Sequence, residues 1–269
     1  MKFLKDKQTR HDFVTYAMCI VAFAIVFFMQ SNHMIPRMIA GQLVPITAYI
    51  VMAISLNLVV GIAGDLSLGH AGFMSVGAYT GIVTAVALES AVPSDPVRLI
   101  ISIVVGAIAA AIPGFLIGIP VLRLSGDYLA IVTLACGEII KNIITNLDFT
   151  GGALGLNTNP IYSNAKKLLP YAVILVLLTV LVMMNLKRSK HGRAIMAIRD
   201  NRIAAESIGI NVTYFKLAVF MLSAFFAGAA GTLYGHFFAN VKAASFDYNM
   251  SIEILVIVVL GGMGSVPGS

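Results

Sequence analysis

Few residues in this chain are placed to do chemistry. The most suggestive set is Asn57, Asp65, Ser67 and His70, polar side chains set among Gly61, Gly64 and Gly69 in otherwise apolar sequence. Such groups can hydrogen-bond a small polar solute crossing hydrocarbon, and glycines let the backbone unwind where a cavity needs it. They suit passage better than bond-breaking, because no nucleophile stands beside a base. Asp65 and Ser67 are also able to cap a following helix, and His70 to pack as a hydrogen-bonded core residue. Glu138 and Lys141 lie three apart, the spacing of neighbours on a helix face, so each can neutralise the other. Glu253 and His236 fall near the ends of apolar runs and are expected at the membrane interface. The turn Thr150, Gly151, Gly152 reads as a solvated loop, as an outer gate or as a contact for a partner protein outside the membrane.

No catalytic residue, metal site or cofactor is expected. The five histidines, at 11, 33, 70, 191 and 236, have no metal-ligand spacing, and neither HExxH nor GxSxG occurs. No Gly-Lys dipeptide exists, so there is no Walker A loop; ATP, if used, binds another chain. The run 262–267 narrowly misses GxGxxG and follows an apolar helix rather than a strand.

The elements that carry these residues follow from composition. Hydrophobic residues make up 59% and charged residues 11%, against about 45–50% and about 25% in soluble domains. That much apolar surface calls for lipid. The reading is an all-α integral membrane protein, a polytopic transmembrane helix bundle of about eight apolar segments, forming a single domain over 1–269. The segments lie near 13–29, 43–64, 66–88, 98–122, 128–146, 168–186, 212–238 and 251–263, each close to the roughly 20 residues a spanning helix needs. Residues 43–88 would reach about 69 Å as one helix, so they are two crossings, broken at 61–65. The run at 13–29 is too long for a signal peptide core and lacks a cleavage site, so it reads as an uncleaved first span.

Lys and Arg set the orientation. With a cytoplasmic N-terminus, the inside gaps hold twelve cations and the outside gaps five. The net charge of +6 is therefore topological and not a nucleic-acid signal. Cys19 and Cys136 sit in apolar runs and form no disulfide framework. Small residues four apart, Gly77 with Gly81, Gly114 with Gly118 and Gly231 with Gly235, mark helix contacts. Gly261 and Gly264 repeat the spacing of Gly61 and Gly64 two hundred positions on, which reads either as the trace of an internal repeat or as chance.

Residues 187–211 are the longest polar interruption of the C-terminal half. They read as two short helices, 193–198 and 202–208, divided at 199–201, capped by Asp200 or Asn201 and stopped by Gly209. Small apolar faces at Ala194, Ala197, Ala204 and Ala205 would make a compact knob for a soluble partner. The plainer reading is a basic loop that fixes topology and touches anionic headgroups of membrane lipid.

The runs GIAGDLSLGHAGFMSVGAY (61–79), LACGEII (134–140), FTGGALGL (149–156), SKHGRAIMAIRDNRIAAESIGIN (189–211) and LGGMGSVPGS (260–269), in this order, resemble the LivM-type permeases of branched-chain amino acid ABC importers. The resemblance runs from about residue 43 to the end. It implies the multi-pass permease of an inner cell membrane, working with a second related permease, two cytoplasmic ATPases and an extracytoplasmic substrate-binding protein. It implies that 187–211 is the ATPase coupling segment, with Gly192, Arg193, Ala194, Arg199, Asp200, Ala204, Ala205 and Gly209 as coupling positions. Family members commonly carry an acidic residue where this chain has Arg202. They also continue past the Gly-Gly-x-Gly-Ser run with a further apolar helix, so the chain reads as truncated at its C-terminus. Urea, short amides or other amino acids stay open as cargo. From another class, an ion-gradient-driven transporter would need Glu138 or Glu253 as coupling acid.

Overall fold

The computed structural model describes residues 36–122, 124, 126–158, 165–265 and 268, with five positions between 18 and 26. Most of the first expected span, 13–29, lies outside the described residues, as do Arg123 and the N-terminal cations. The described chain is helical, with one two-residue antiparallel ladder, β1 (Leu156–Asn157) with β2 (Asn240–Val241). In lipid this is the expected outcome, since a helix satisfies its own backbone groups.

Helix α1 (Arg37–Asn57) runs on into a π-helical stretch, Leu58–Ala63, that ends at Gly64 in the left-handed region (φ 77°). Then come α2 (His70–Ala87), α3 (Asp95–Val121), α4 (Asp127–Asn146), α5 (Ala165–Arg188), α6 (Lys190–Asp200), α7 (Arg202–Ser207), α8 (Val212–Phe237) and α9 (Tyr248–Gly261). Among the described residues, six helices are long and apolar enough to cross a membrane. Helix α2 is not one of them; most of its length is buried inside the bundle, and its last residues, Val86 and Ala87, are exposed.

The break between α1 and α2 corrects the expected one in two ways. The helical path continues through Gly61, and the unwound stretch is 64–69. Neither Asp65 nor Ser67 caps α2, whose N-cap is Gly69 with no side-chain bond.

Helix α8 forms the centre, and small residues bring its neighbours onto it. A β-carbon on Gly77 would meet the Gly228 backbone, one on Gly231 the Met74 carbonyl, and one on Gly114 the Ala224 side chain. The Thr232 hydroxyl donates to the Gly77 carbonyl (2.8 Å). The small-residue pairs therefore serve packing within the chain. On α3, Ile100, Val104, Ile108, Ile112, Leu116 and Ile119 form an exposed stripe, the face such a helix turns to lipid. His236, expected at the interface, is instead fully buried, with its Nδ1 against the Thr232 carbonyl (2.8 Å).

The loops gather at two ends. At one, the basic end, residues 57–65, 187–201 and 264–265 are joined by direct bonds. At the other, the ladder of β1 and β2, the Tyr79 hydroxyl donating to the Val241 carbonyl (2.9 Å) and the 148–155 turn come together.

Candidate functional site

The site begins with the unwound stretch 64–69. Asp65 is buried and accepts from the Lys216 ammonium at 2.6 Å, with only 8% and 12% of the two side chains exposed. Lys216 is the fifth residue of α8. Five residues beyond Asp65, His70 Nε2 meets Ser223 Oγ at 2.8 Å. Ser223 lies about 10 Å further along α8 at about 1.5 Å per residue, near the helix midpoint. The stretch 64–69 thus climbs from the basic end toward mid-depth without being helical. Non-helical backbone at that depth is tolerated only where protein or a cavity surrounds it, and Asp65, Ser67 and Gly69 are all buried.

At the top of the climb, polar groups from five helices converge. The Ser223 hydroxyl donates to the Ser55 carbonyl (2.5 Å), the Leu68 N–H donates to Thr133 Oγ1 (3.0 Å), and the Ala71 N–H donates to Ser251 Oγ (3.1 Å). Ser55, Thr133, Ser223 and Ser251 are each at most 2% exposed. The hydroxyls at 133, 223 and 251 stand out only once the helices are assembled, because a lone Ser or Thr in an apolar run carries no signal by itself.

Asn57 stands apart from that cluster. Its Oδ1 accepts from the Gly264 N–H (2.7 Å) and its Nδ2 donates to the Ser265 carbonyl (2.9 Å). The Lys187 ammonium donates to the Gly264 carbonyl (2.7 Å). Gly61 packs on Gly264, and a β-carbon on Gly61 would strike both Asn57 Oδ1 and the Gly264 backbone. The two glycine breaks noted in the sequence therefore touch, and both Gly64 and Gly264 are left-handed.

The basic knob is built by caps. Ser189 caps α6, accepting from the Gly192 N–H (3.1 Å), and Asn201 caps α7, accepting from the Ala204 N–H (3.0 Å). Gly209, at φ 86°, ends the turn after α7. Helix α6 is longer than expected and contains Arg199 and Asp200, so Asn201 alone divides the pair. The buried face also differs from the alanine face read in the sequence. It is made by Ile195, Ile198 and Ala205, with Val212, while Ala204 is exposed. Gly192 is buried where a side chain would strike the Leu186 carbonyl. Arg193 is exposed and donates to the Arg188 carbonyl (3.0 Å); Ala194 is half-buried. Arg202 pairs with Glu206 one turn on in its own helix (3.0 Å).

Arg199 joins the knob to the break. Its Nη1 donates to the Gly61 carbonyl at 2.9 Å, and its side-chain stem packs on Gly64. Two apolar residues on the knob that carried no signal in the sequence, Ile203 and Ile208, are 80% and 75% exposed. Ile203 sits beside the expected position 204, but periodicity gave no reason to prefer it.

At the opposite end, Thr150 is buried and its hydroxyl donates to the Ile144 and Leu147 carbonyls, closing α4. Gly151 and Gly152 have positive φ, and the turn leaves Phe149 and Leu154 exposed. Glu138 and Lys141 form the expected ion pair, and Glu253 is exposed on α9. Among the described residues no group of His, Cys, Asp or Glu could hold a metal ion.

Together, a helical bundle with lipid-facing apolar stripes, a broken helix with a buried polar core and a basic knob define a polytopic membrane protein. The chain belongs to the family described as branched-chain amino acid transport system / permease component, whose model matches residues 38–269. It is 37% identical to the high-affinity branched-chain amino acid transport system permease protein LivM of Salmonella typhimurium, and 36% identical to the protein of that name in Escherichia coli K12. Each match covers 81% of this chain and 57% of the relative. The chain thus spans a little over half the length of these relatives. No solved structure matches it.

Proposed function

We propose that this chain is the membrane-spanning permease subunit of an ATP-driven importer for branched-chain amino acids. Its partners are a second related permease, two cytoplasmic ATPases and an extracytoplasmic substrate-binding protein, in an inner cell membrane with the N-terminus cytoplasmic. Residues 187–211 are the coupling segment, and the ATPase meets Arg193, Ala194, Asp200 and Ala204 together with the exposed Ile203 and Ile208. The turn at 150–152 contacts the binding protein, with Phe149 and Leu154 offering it apolar surface.

The observation that carries this reading is the bond from Arg199 to the Gly61 carbonyl. A soluble partner that shifts the knob moves a group bonded directly to the π-helical end of α1. π-Helical turns are rare overall and frequent at functional sites. Lys216–Asp65 then couples the start of α8 to the unwound stretch. In this arrangement Asn57 and Asp65 close the path at the basic end, Ser67 and His70 line it at mid-depth, and movement of the knob opens it. An ion-gradient transporter would want an acid facing the buried polar cluster, whereas Glu138 is paired with Lys141 and Glu253 faces outward.

The test is purification of the tagged chain from cells co-expressing its neighbouring transport subunits, followed by reconstitution. Co-purification of an ATPase and ATP-dependent leucine uptake that requires a binding protein are the expected results. Gradient-driven uptake by the solitary chain would sink the proposal.

A further inference from the structure

Two buried polar atoms are left without a partner where the unwound stretch joins α2. They are Ser67 Oγ and His70 Nδ1, in residues 0% and 1% exposed. Buried polar groups are nearly always satisfied, so each orphan calls for an explanation. Both lie at the same mid-depth junction, three positions apart, at the N-terminus of an 18-residue helix with no acidic residue in its first turn and no cap from its own N-cap residue, Gly69, although Ser251 Oγ takes the Ala71 N–H. That helix end carries a partial positive charge.

The state of His70 follows from its neighbours. The Ser223 hydroxyl proton is committed to the Ser55 carbonyl at 2.5 Å, so Ser223 Oγ accepts at its other contact and His70 Nε2 carries the hydrogen between them. In a neutral imidazole this leaves Nδ1 a bare acceptor. Ser67 supplies a hydroxyl that can donate. The junction therefore offers an acceptor and a donor within one turn, the donor lying at the positive end of α2.

A zwitterionic α-amino acid carries the complementary pair on a single carbon. We infer that Ser67 and His70 form the site for that head group. His70 Nδ1 receives the ammonium, and the Ser67 hydroxyl with the α2 N-terminus receives the carboxylate. Asn57 and Asp65, whose side chains are engaged with Gly264, Ser265 and Lys216, hold the surrounding backbone and do not touch the cargo. Broken helices at mid-depth, with helix N-termini turned to anionic groups, are a general solution to passing charge through hydrocarbon. The site is closed here and is reached when 64–69 moves. This inference rests on the importer reading above.

The experiment uses the assembled importer in proteoliposomes with saturating binding protein. Ser67→Ala removes only an oxygen. His70→Gln keeps a donor toward Ser223 and deletes the Nδ1 acceptor. Each is expected to lower maximal leucine uptake about 10-fold or more, the range for a lost hydrogen bond to a charged group, with ATPase association unchanged and Ser67→Thr restoring uptake. In detergent, leucine at high concentration should raise the melting temperature of the wild-type complex. Neither 3-methylbutylamine, which lacks the carboxylate, nor 4-methylpentanoate, which lacks the ammonium, should do so. Wild-type uptake rates in both variants, or equal stabilisation by all three compounds, would overturn the site and leave the orphan atoms to a buried water. A wild-type complex that imports no amino acid would remove the importer reading itself, and this inference with it.

Discussion

The guanidinium of Arg199 and the carbonyl of Gly61 are bonded at 2.9 Å across 138 residues of sequence. One belongs to the last turn of an amphipathic surface helix, the other to the π-helical end of a buried one. Gly61 lies in the last turn of that helix, which ends at Ala63, and the final carbonyls of a helix have no intrahelical partner, so its oxygen is open to a donor from outside. Arg199→Ala is expected to leave the bundle inserted and the ATPase bound, while uptake falls about 10-fold at most. The side chain is 40% exposed, so solvent screening keeps the effect toward the low end for a charge-assisted bond. Uptake and ATP hydrolysis measured together check this, since loss of coupling lowers the first without the second.

The Asp65–Lys216 pair makes a different prediction because both side chains are buried. Removing one partner strands a charge, which costs about 3–5 kcal/mol at a fully buried site. Asp65→Asn should therefore reduce uptake and lower the melting temperature. Lys216→Met in the same chain should recover part of that loss, as replacing both partners abolishes the stranded charge. A double-mutant cycle on melting in detergent reads the coupling, and additive effects of the two changes would rule out a direct pair.

Close helix approach predicts a third outcome. Gly77 and Gly228 face each other so tightly that a β-carbon at 77 would occupy the Gly228 backbone. Gly77→Val should prevent stable folding of the bundle, seen as loss of monodisperse protein after solubilisation. Gly41, with no atom within 4 Å of a β-carbon position, should accept Ala with little change.

How legible these features were in the sequence depends on their physical origin. The apolar runs and the interruption at 187–211 follow from hydropathy and caps, which are local, and six of the eight expected runs form helices able to cross a membrane among the described residues. The contacts of Gly77 and Gly231 were readable as small-residue spacing, though not their partners. The fates of Asn57, Asp65, Ser67 and His70 were not readable. All four are polar groups near glycines, yet Asn57 reaches residues 264–265 and Asp65 reaches Lys216, separations that only the packed bundle creates. The alanine face of the knob misled because alanine is tolerated on either side of a helix, whereas Ile195 and Ile198 are buried and Ile203 is not.

The exposure of Ile203 and Ile208 predicts where binding energy concentrates. Large apolar side chains on a cationic knob cost little in the free chain and gain once a partner covers them, by about 1.5–3 kcal/mol for full burial. Ile203→Asp is expected to abolish ATPase co-purification without altering the melting temperature of the isolated chain. The Arg202–Glu206 pair lies within one helix and is exposed, so Arg202→Ala should weaken association far less. Equal losses for the two variants would move the interface away from the apolar positions.

Gly209 supplies the last test, because two separate demands meet at one residue. Its φ of 86° lies in the left-handed region, which costs an L-residue about 1–2 kcal/mol. Its N–H also donates to the Glu206 carbonyl at 3.0 Å, closing α7 before Asn211 caps α8. Gly209→Ala pays only the first cost and has open space around its β-carbon, so docking and uptake should decline modestly. Gly209→Pro can neither adopt that φ nor donate the hydrogen bond. It should tilt α7 away from Ile198 and Val212, withdraw Ile203 from the partner and stop uptake, while α8 still inserts through its own cap at Asn211. Membrane extraction, ATPase pull-down and uptake on the three proteins separate these steps. A Pro variant that binds the ATPase as well as wild type would show that the geometry of α7 is not what the partner recognises.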